Sequence, residues 1–300
     1  MKRPLKTNII VLLLGMAFLA AMPSCNKDQA GVYSPKKKIQ RIYGASSSTT
    51  KHLQSIWDWD GNLLESIDHY SSSGGLSWTE SFTYDGKRLF RVDDYANAEY
   101  VLYEYDGNNL KSASYFYRNN IEAIATVTYS DKKISRITQT YYDSKNNDKA
   151  SRHLNPLAAL FPSHVYDALE KGMKDFETSR QGEGIYTIIW QFTWSDDNIV
   201  RLFGSTGNES MTVSFQYDSK NSVLKGFLDL YALVDDDLDS YVEAGCYSKN
   251  NVVKMICSYS DGDVDVLNLN YQYDKNDYPT MVTRSYDGSS YTSMTYYEYY

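Results

Sequence analysis

The chain has 300 residues and a formal net charge of −8. Removal of an N-terminal region that contains Lys2, Arg3 and Lys6 would make the remainder more negative by three charges. Such a surface repels nucleic acid and anionic lipid headgroups, so we expect neither as a ligand.

The N-terminus has the pattern of an export signal. Its three basic residues precede an apolar run over residues 9–21, which is too short to span a membrane and has no stop-transfer flank. Ser24 lies directly before Cys25, as lipoprotein processing requires. We therefore expect residues 1–25 to be a lipoprotein signal peptide and the acylated Cys25 to hold the chain on a lipid bilayer. An ordinary signal peptide with an incidental cysteine is the alternative.

The segment after the cysteine is mostly polar. Asn26 is not a strong retention residue, so the outer membrane is the favoured location, facing either the periplasm or the cell exterior. Residues 26–38 show no apolar periodicity and are typical of a flexible tether.

A repeated phrase organises the rest of the chain, residues 39–300, which we expect to form a single domain. In a clear copy, Trp57-Asp58-Trp59-Asp60-Gly61, two aromatic residues flank a polar one and Asp-Gly follows. Aromatics at i and i+2 have the period of a half-buried strand, and Asp-Gly is typical of a hairpin turn. The copies begin at Trp57, Phe82, Tyr103, Val127, Phe192, Phe215, Gly245 and Tyr271.

A second strand follows most copies of the phrase. Its apolar residues stand three positions apart, as at Leu64 and Ile67, which switches faces and predicts a β-bulge or strands buried partly on both sides. More variable turns separate the hairpins, so the tight turns should lie at one end of the sheet. About sixteen short strands cannot stay a flat open sheet. The expected fold is an all-β antiparallel meander of hairpins, curled into a barrel or half-barrel.

The repeat is interrupted once, after Tyr142, by a segment with helical spacing. Asn155-Pro156-Leu157 opens a loop and Ser163 can cap a helix. The apolar face of that helix would consist of Val165, Leu169, Met173 and Phe176. We expect a helical insertion at about residues 150–183, either as a fixed cap over one barrel mouth or as a mobile lid over a ligand site.

Two cysteines, Cys246 and Cys257, lie in the repetitive domain. A tight turn at Asn250-Asn251 would fold the strand around Cys246 against the strand that carries Cys257, with both thiols on one face. A disulfide in an oxidising envelope and two small buried thiols both fit this geometry, and the second is the more common outcome.

The phrase Tyr103-Glu104-Tyr105-Asp106-Gly107-Asn108-Asn109-Leu110 resembles YD-type repeats. Together with the export signal, the Asn155-Pro156-Leu157 insertion and the closing Asn276-Asp277-Tyr278-Pro279-Thr280, it resembles a lipoprotein family of anaerobic Gram-negative bacteria. That family is a domain of unknown function with a porin-like fold. The resemblance covers roughly residues 40–300. It implies the fold and no catalytic residues, because the family has no assigned activity.

Residues that commonly carry chemistry are sparse. None of His52, His69, His153 and His164 has a metal-ligand spacing, and neither a GxSxG elbow nor a phosphate-binding glycine loop is present. The carboxylates at Asp235-Asp236-Asp237 lack the glycine and closing glutamate of a calcium loop. We expect no enzyme, no cofactor and no metal. A glycan-processing hydrolase is the minor alternative, because paired carboxylates can arise among many strand-end acids.

The chain contains 29 tyrosines, most of which should form the inner face of the sheet. Tyrosines near turns are candidates to bind a sugar ring or an extended peptide. These candidates are Tyr115, Tyr117, Tyr141, Tyr142, Tyr286 and Tyr291. The favoured function is a non-catalytic envelope lipoprotein that binds a glycan, a peptide or an envelope protein, or serves as a scaffold. A barrel inserted in the outer membrane is the alternative, because residues 296–300 resemble an aromatic closing strand.

Overall fold

The structure is a computed structural model that describes residues 29–46, 50–94, 99–142, 185–206, 209–227, 248–290 and 292–300. The described residues form sixteen antiparallel strands. These are β1 (Ile39–Ser46), β2 (His52–Asp60), β3 (Leu63–Tyr70), β4 (Leu76–Asp85), β5 (Arg88–Asp94), β6 (Glu99–Asp106), β7 (Asn109–Tyr117), β8 (Asn120–Ser130), β9 (Lys133–Tyr141), β10 (Tyr186–Ser195), β11 (Asn198–Thr206), β12 (Glu209–Asn221), β13 (Asn250–Tyr259), β14 (Val264–Tyr273), β15 (Pro279–Tyr286) and β16 (Thr292–Tyr299).

The strands form one closed barrel. Each strand pairs with its neighbours in the chain, and β16 pairs with β1 from Ile39↔Tyr299 to Ser46↔Ser293. The all-β antiparallel meander predicted from the repeat is therefore confirmed, and of the two expected forms the chain adopts the closed barrel.

Alternation along each strand separates an apolar inner face from a polar outer face. Trp57 on β2 pairs with Ile67 on β3, and both side chains are buried inside the barrel. Their neighbour Asp58 is exposed on the outside. Burial of the large inner side chains supplies the main stabilisation, at roughly 25 cal/mol per Å² of apolar surface.

The three-residue apolar spacing results from a β-bulge, as the sequence predicts. Leu64 pairs with Trp59 and Ser66 pairs with Asp58, so Glu65 has no partner and the strand keeps both Leu64 and Ile67 on the inner face. The same shift recurs around the barrel. The extra residues are Gln40, Glu65, Phe90, Lys111, Ser135, Val200, Val253 and Thr280.

Short turns join the two strands of a hairpin at one end of the barrel, which we call the tight-turn end. Asp131 and Lys132 form the two-residue turn between β8 and β9, and both have positive φ, 50° and 67°, as the mirror-image turn of a twisted hairpin requires. The connections between hairpins lie at the opposite end, which we call the long-turn end. The separation of turn types is less strict than the sequence pattern predicts. The connection between β12 and β13 at the tight-turn end spans 28 residues, and Arg118 and Asn119 form a two-residue turn at the long-turn end.

One hairpin departs from the prediction. The phrase on β12 should be followed by a strand marked by Leu224 and Phe227, but β12 pairs with β13 instead, from Met211↔Tyr259 onward. Both edges of β13 are thus occupied, by β12 and β14. The tight turn expected at Asn250-Asn251 is not formed, because these residues begin β13.

Several sequence predictions fall outside the described residues. The signal peptide with Cys25, the helical insertion at about residues 150–183, the acidic segment at residues 235–239 and Cys246 all lie there. In the part of the chain that the structure describes, no helix is long and apolar enough to cross a membrane.

Candidate functional site

The interior of the barrel has an apolar half toward the tight-turn end and a polar half toward the long-turn end. In the apolar half the first aromatic of the repeated phrase is buried, as at Trp57, Phe82 and Tyr103. In the polar half the strands turn acids, amides and hydroxyls inward. These include Gln54, Ser55, His69, Glu80, Asp94, Glu99, Glu122, Gln139, Arg284, Ser293 and Thr295.

The second aromatic of the phrase bridges neighbouring hairpins. The ladder between β3 and β4 ends at Ser66↔Ser81, which leaves the Leu64 carbonyl without a strand partner on that side. The Tyr84 hydroxyl donates a hydrogen bond to this carbonyl at 2.9 Å. In the next hairpin, the Tyr105 hydroxyl donates to the Leu89 carbonyl at 2.6 Å.

This arrangement continues around the tight-turn end and defines an aromatic collar. Each member contacts one backbone group of a neighbouring strand. The pairs are Trp59 with Ile39, Tyr84 with Leu64, Tyr105 with Leu89, Tyr129 with Leu110, Trp194 with Ile134, Tyr217 with Ile199 and Tyr299 with Pro279. Tyr129 accepts from a backbone N–H, whereas the others donate to a carbonyl. Burial raises the pKa of the Tyr129 hydroxyl to about 12 and holds the pKa of Tyr84 and of Tyr105 well above the usual range.

Two segments outside the strands fill the centre of the tight-turn end. Tyr33, from the segment before β1, donates a hydrogen bond from its hydroxyl to the Val223 carbonyl at 3.1 Å. Its ring centroid lies 5.1 Å from that of Phe227, which in turn lies 5.1 Å from Trp57. We call Tyr33, Val223, Leu224 and Phe227 the mouth plug, and all four are buried.

The segment before β1 is attached to the barrel along its length. The Ala30 N–H donates to the Asn108 carbonyl at 3.0 Å, and the Gly31 carbonyl accepts from the Leu89 N–H at 2.7 Å. Lys37 forms an ion pair with Asp274, and mainly for this reason the pKa of Asp274 falls to about 2. Residues 29–38 thus contact the barrel, whereas their composition predicts a flexible tether.

The polar half contains three carboxylates on adjacent strands, which we call the acidic row. Glu80 on β4 pairs with Asp94 on β5, which pairs with Glu99 on β6. Their exposed fractions are 0%, 1% and 6%. Next to the row, His69 Nε2 lies 3.5 Å from Glu80 Oε2, and its ring stacks on Trp78 at 4.3 Å between centroids.

The acidic row lacks the geometry of a metal centre. Within the described ranges, no group of three acidic, histidine or cysteine side chains converges closely enough to hold a metal ion. The burial of the three carboxylates also closes them to a substrate from solution.

Gln54 is a second buried polar group that strand alternation does not predict. It is the extra residue of a bulge, since Ser55 pairs with Ile42 and Leu53 pairs with Tyr43. Its side chain crosses the inner side of Gly44, where an added Cβ would lie 2.5 Å from Nε2. Gln54 is 2% exposed, and neither its Nε2 nor its Oε1 has a hydrogen-bond partner in the described structure.

The structure brings together four of the tyrosines that the sequence marks as ligand candidates. Tyr115 and Tyr141 flank Ala123 on the inner face and are 2% and 4% exposed. Tyr117 and Tyr142 lie near the same place at the long-turn end and are only partly buried. Their role in ligand binding stays a prediction.

The other two candidates do not join this group. Tyr286 lies on β15, on another part of the barrel wall, and is partly buried against the core. Tyr291 lies outside the described residues.

Cys257 is buried on the inner face of β13. Burial raises the pKa of its thiol to about 12, so the thiol stays protonated at neutral pH. Among the described residues Cys257 has no disulfide partner, and pairing with Cys246, which lies outside them, stays a prediction. The hairpin that would have brought the two together across Asn250-Asn251 is not the one that forms.

The outer wall at mid-height is polar on most of its strands. Side chains that face outward there include Asp58, Ser81, Arg91, Ser114, Thr126, Gln191, Arg201, Ser214, Lys254, Asn268 and Thr283. Arg91 forms a bidentate ion pair with Asp93 on this surface. Apolar side chains are interspersed among these polar ones on the outer face, as at Leu102, Phe203 and the Ile256–Val266 pair.

Two solved structures of similar shape are porin-like proteins from Bacteroides. The protein from Bacteroides vulgatus ATCC 8482 is 9% identical with a TM-score of 0.49, and the match covers 87% of this chain and 98% of that one. The protein from Bacteroides uniformis ATCC 8492 is 10% identical with a TM-score of 0.49, covering 90% and 100%. No family model and no curated protein matches the chain. The lipoprotein family and the YD-type repeat to which the sequence is similar therefore stay predictions.

Proposed function

We propose that the chain is a non-catalytic lipoprotein of the bacterial cell envelope, whose barrel stands in water and binds or scaffolds a partner. The observation that carries the proposal is the outer wall, where polar and charged side chains face outward at mid-height on most strands. The proposed anchor is the acylated Cys25, and the proposed location is the outer membrane.

The polarity of the wall argues against a barrel inserted in the membrane. A membrane barrel needs an outward apolar band about 25 Å tall, and a Lys or Arg in the middle of that band costs about 2–4 kcal/mol. Here Arg91, Arg201 and Lys254 face outward at mid-height, where they pair with Leu102, Ser214 and Asn268. The same wall is well suited to water.

The filled tight-turn end argues against a pore. The mouth plug packs Tyr33 and Phe227 against Trp57 on the axis side of the wall, and the aromatic collar surrounds them. Side chains in this arrangement are close-packed, so the mouth plug narrows this end of the barrel.

The burial of the acidic row supports a non-catalytic role. A glycosidase requires two carboxylates on either side of a substrate bond, roughly 5–10 Å apart in an accessible cleft. Glu80, Asp94 and Glu99 are instead enclosed by protein. A glycan or peptide would have to bind at the long-turn rim, where Tyr117 and Tyr142 are partly accessible.

Solubility tests the proposal most directly. Residues 26–300, expressed without the signal peptide and the lipid, should fold in buffer without detergent and remain monodisperse. Vesicles that contain the protein should show no conductance. A protein that requires detergent, or that conducts ions, would overturn the water-exposed barrel.

Labelling tests the anchor. The full chain should incorporate radiolabelled palmitate in a Gram-negative host, and the Cys25→Ser variant should not, whereas Cys257→Ser provides a matched control that keeps the label. Equal labelling of the wild type and Cys25→Ser would contradict lipidation at Cys25.

A thermal-shift screen tests the binding role. The soluble domain would be screened against host glycans, bacterial glycans and peptidoglycan fragments. A ligand at a hundred times its dissociation constant adds about 2.7 kcal/mol of stability. A shift that is lost in Tyr117→Ala and kept in Tyr70→Ala supports binding at the rim. A stable domain without any shift favours a scaffold for another envelope protein.

A further inference from the structure

The geometry points to a fixed direction for the barrel on the bilayer. We propose that the tight-turn end faces the lipid surface and that the long-turn end faces away from it. This inference rests on the proposed lipidation of Cys25 and adds an orientation to it.

The N-terminal part of the described chain is attached to the tight-turn end. The Ala30 N–H is bound to the turn between β6 and β7 through the Asn108 carbonyl. Gly31, with a φ of +77°, lies so close to Tyr105 that an added Cβ would be 2.1 Å from its hydroxyl oxygen. Tyr33 then enters the mouth plug. Residues 30–33 therefore cannot leave this end without breaking these contacts.

The covalent length of the chain limits the distance between Cys25 and the tight-turn end. Four peptide units join Cys25 to Gln29, and a chain extends by at most about 3.6 Å per residue, so the acylated cysteine lies within about 14 Å of the tight-turn rim. Strand β3 has eight residues, which at about 3.4 Å each and a tilt near 40° gives a barrel roughly 20 Å long. The long-turn end is beyond this reach, so an inverted barrel is excluded.

A barrel that lies on its side would place its outer wall against the lipid surface. The wall nearest the attachment point carries Glu104 and Lys111 on its outer face, both largely exposed and paired at 3.2 Å. Apolar area drives a surface onto lipid, and beside this charged pair the described part of the wall offers little more than the exposed ring of Phe90. An upright barrel keeps such walls in water around its whole circumference.

The orientation selects the kind of partner that the protein can meet. The long-turn rim, with Tyr117 and Tyr142, is held about one barrel length from the membrane. A partner at this rim would be a soluble molecule or a component of the cell wall rather than a lipid.

Energy transfer to a headgroup-labelled lipid tests the orientation in the full lipidated chain. Single dye sites would be made in a Cys246→Ala, Cys257→Ala background at three exposed turns. Asn109→Cys lies next to the attachment point, Asn276→Cys lies on the opposite side of the same end, and Ser72→Cys lies at the long-turn end. Flotation with vesicles first establishes that each variant is anchored.

We expect similar transfer from Asn109→Cys and Asn276→Cys, and transfer at least about twofold lower from Ser72→Cys because of the roughly 20 Å between the ends. As a matched control, twenty Gly and Ser residues inserted after Asp28 span about 25 Å and should remove the difference. A chain that does not float overturns the lipid anchor and the orientation together. A chain that floats but transfers as strongly from Ser72→Cys as from Asn276→Cys overturns the orientation alone.

Discussion

At the scale of single residues, the two aromatic side chains of the repeated phrase have different structural roles. The first ring, as at Trp57 or Phe82, fills the core. The second ring reaches across the gap between hairpins, where the strand ladder has ended and a backbone group lacks a partner. An aromatic residue with a polar tip suits this position, because its body is buried while its hydroxyl or indole N–H satisfies the backbone. The abundance of tyrosine therefore has a structural cause.

The collar hydrogen bonds should be measurable one at a time. Tyr84→Phe removes the donor to the Leu64 carbonyl and should lower the free energy of unfolding by about 1 kcal/mol, with little loss of apolar contact. Urea denaturation of residues 26–300 provides the measurement. Tyr70→Phe, on the outer face, is the matched control and should change stability by less than about 0.5 kcal/mol. Equal losses from the two variants would contradict the bridging role.

The buried collar hydroxyls should make the fold sensitive to alkali. The pKa of Tyr129 is raised to about 12 in the folded protein, so the unfolded chain ionises first as pH rises above about 10. The stabilising contribution is complete below pH 10 and is lost as pH rises through 12. Unfolding free energies measured from pH 8 to 12 should fall across this window. The fall should be smaller in Tyr129→Phe, and an identical fall in that variant would exclude Tyr129 as a contributor.

The buried amide of Gln54 is a site where a substitution should stabilise the protein. Its two polar atoms have no partner among the described residues, and a buried polar group in that state costs about 1–3 kcal/mol. Gln54→Met has a similar shape without the amide and should raise the midpoint of thermal unfolding. Gln216→Met, at an exposed position on β12, is the control and should have little effect. A lower midpoint for Gln54→Met would mean that the amide makes a stabilising interaction.

At the scale of elements, the hairpin is the unit that the sequence encodes most clearly. Strand period, turn residues and the bulge at Glu65 all follow from local spacing, because each depends on residues only a few positions apart. The three-residue spacing of Leu64 and Ile67 predicts either a bulge or strands buried partly on both sides, and the structure has the bulge. Strand number and antiparallel meander order follow from repeating this unit.

Features that depend on distant contacts were not accessible to sequence reasoning. Tyr33 lies in a polar stretch, and only its packing against Phe227 and Trp57 identifies it as a core residue. The β12–β13 pairing crosses a break in the repeat, so local spacing assigned the wrong partner strand. The acidic row forms because three strands happen to turn Glu80, Asp94 and Glu99 inward at the same height. Each acid alone looks like an ordinary strand-end residue.

The apolar half of each hairpin carries most of its stability. Trp57→Ala should lower the free energy of unfolding by about 3–5 kcal/mol, because the ring is fully buried and touches the mouth plug at Phe227. Chemical denaturation gives this difference directly. Leu76→Ala removes a similarly apolar but exposed side chain and should stay within about 0.5 kcal/mol of the wild type. A small effect for Trp57→Ala would mean that the core repacks.

At the scale of the whole molecule, the closure of β1 on β16 makes every strand dependent on the last one. Deletion of residues 292–300 removes β16 and leaves the backbone of β1 and β15 unpaired on one side. Unpaired strand edges recruit other chains, so we expect the truncated domain to aggregate while the full domain stays monomeric. Light scattering after refolding measures this. A monomeric truncated domain would show that the barrel does not need closure.

The same closure sets an order of events during synthesis. A ribosome produces β1 first and β16 last, and the two become neighbours only when the final residues, including the Tyr299 partner of Ile39, have left the exit tunnel. Until then the incomplete sheet of hairpins is prone to self-association. Contacts between such distant positions also form slowly. A chaperone that holds unfolded chains should therefore remain bound to this protein until β16 is available to pair with β1.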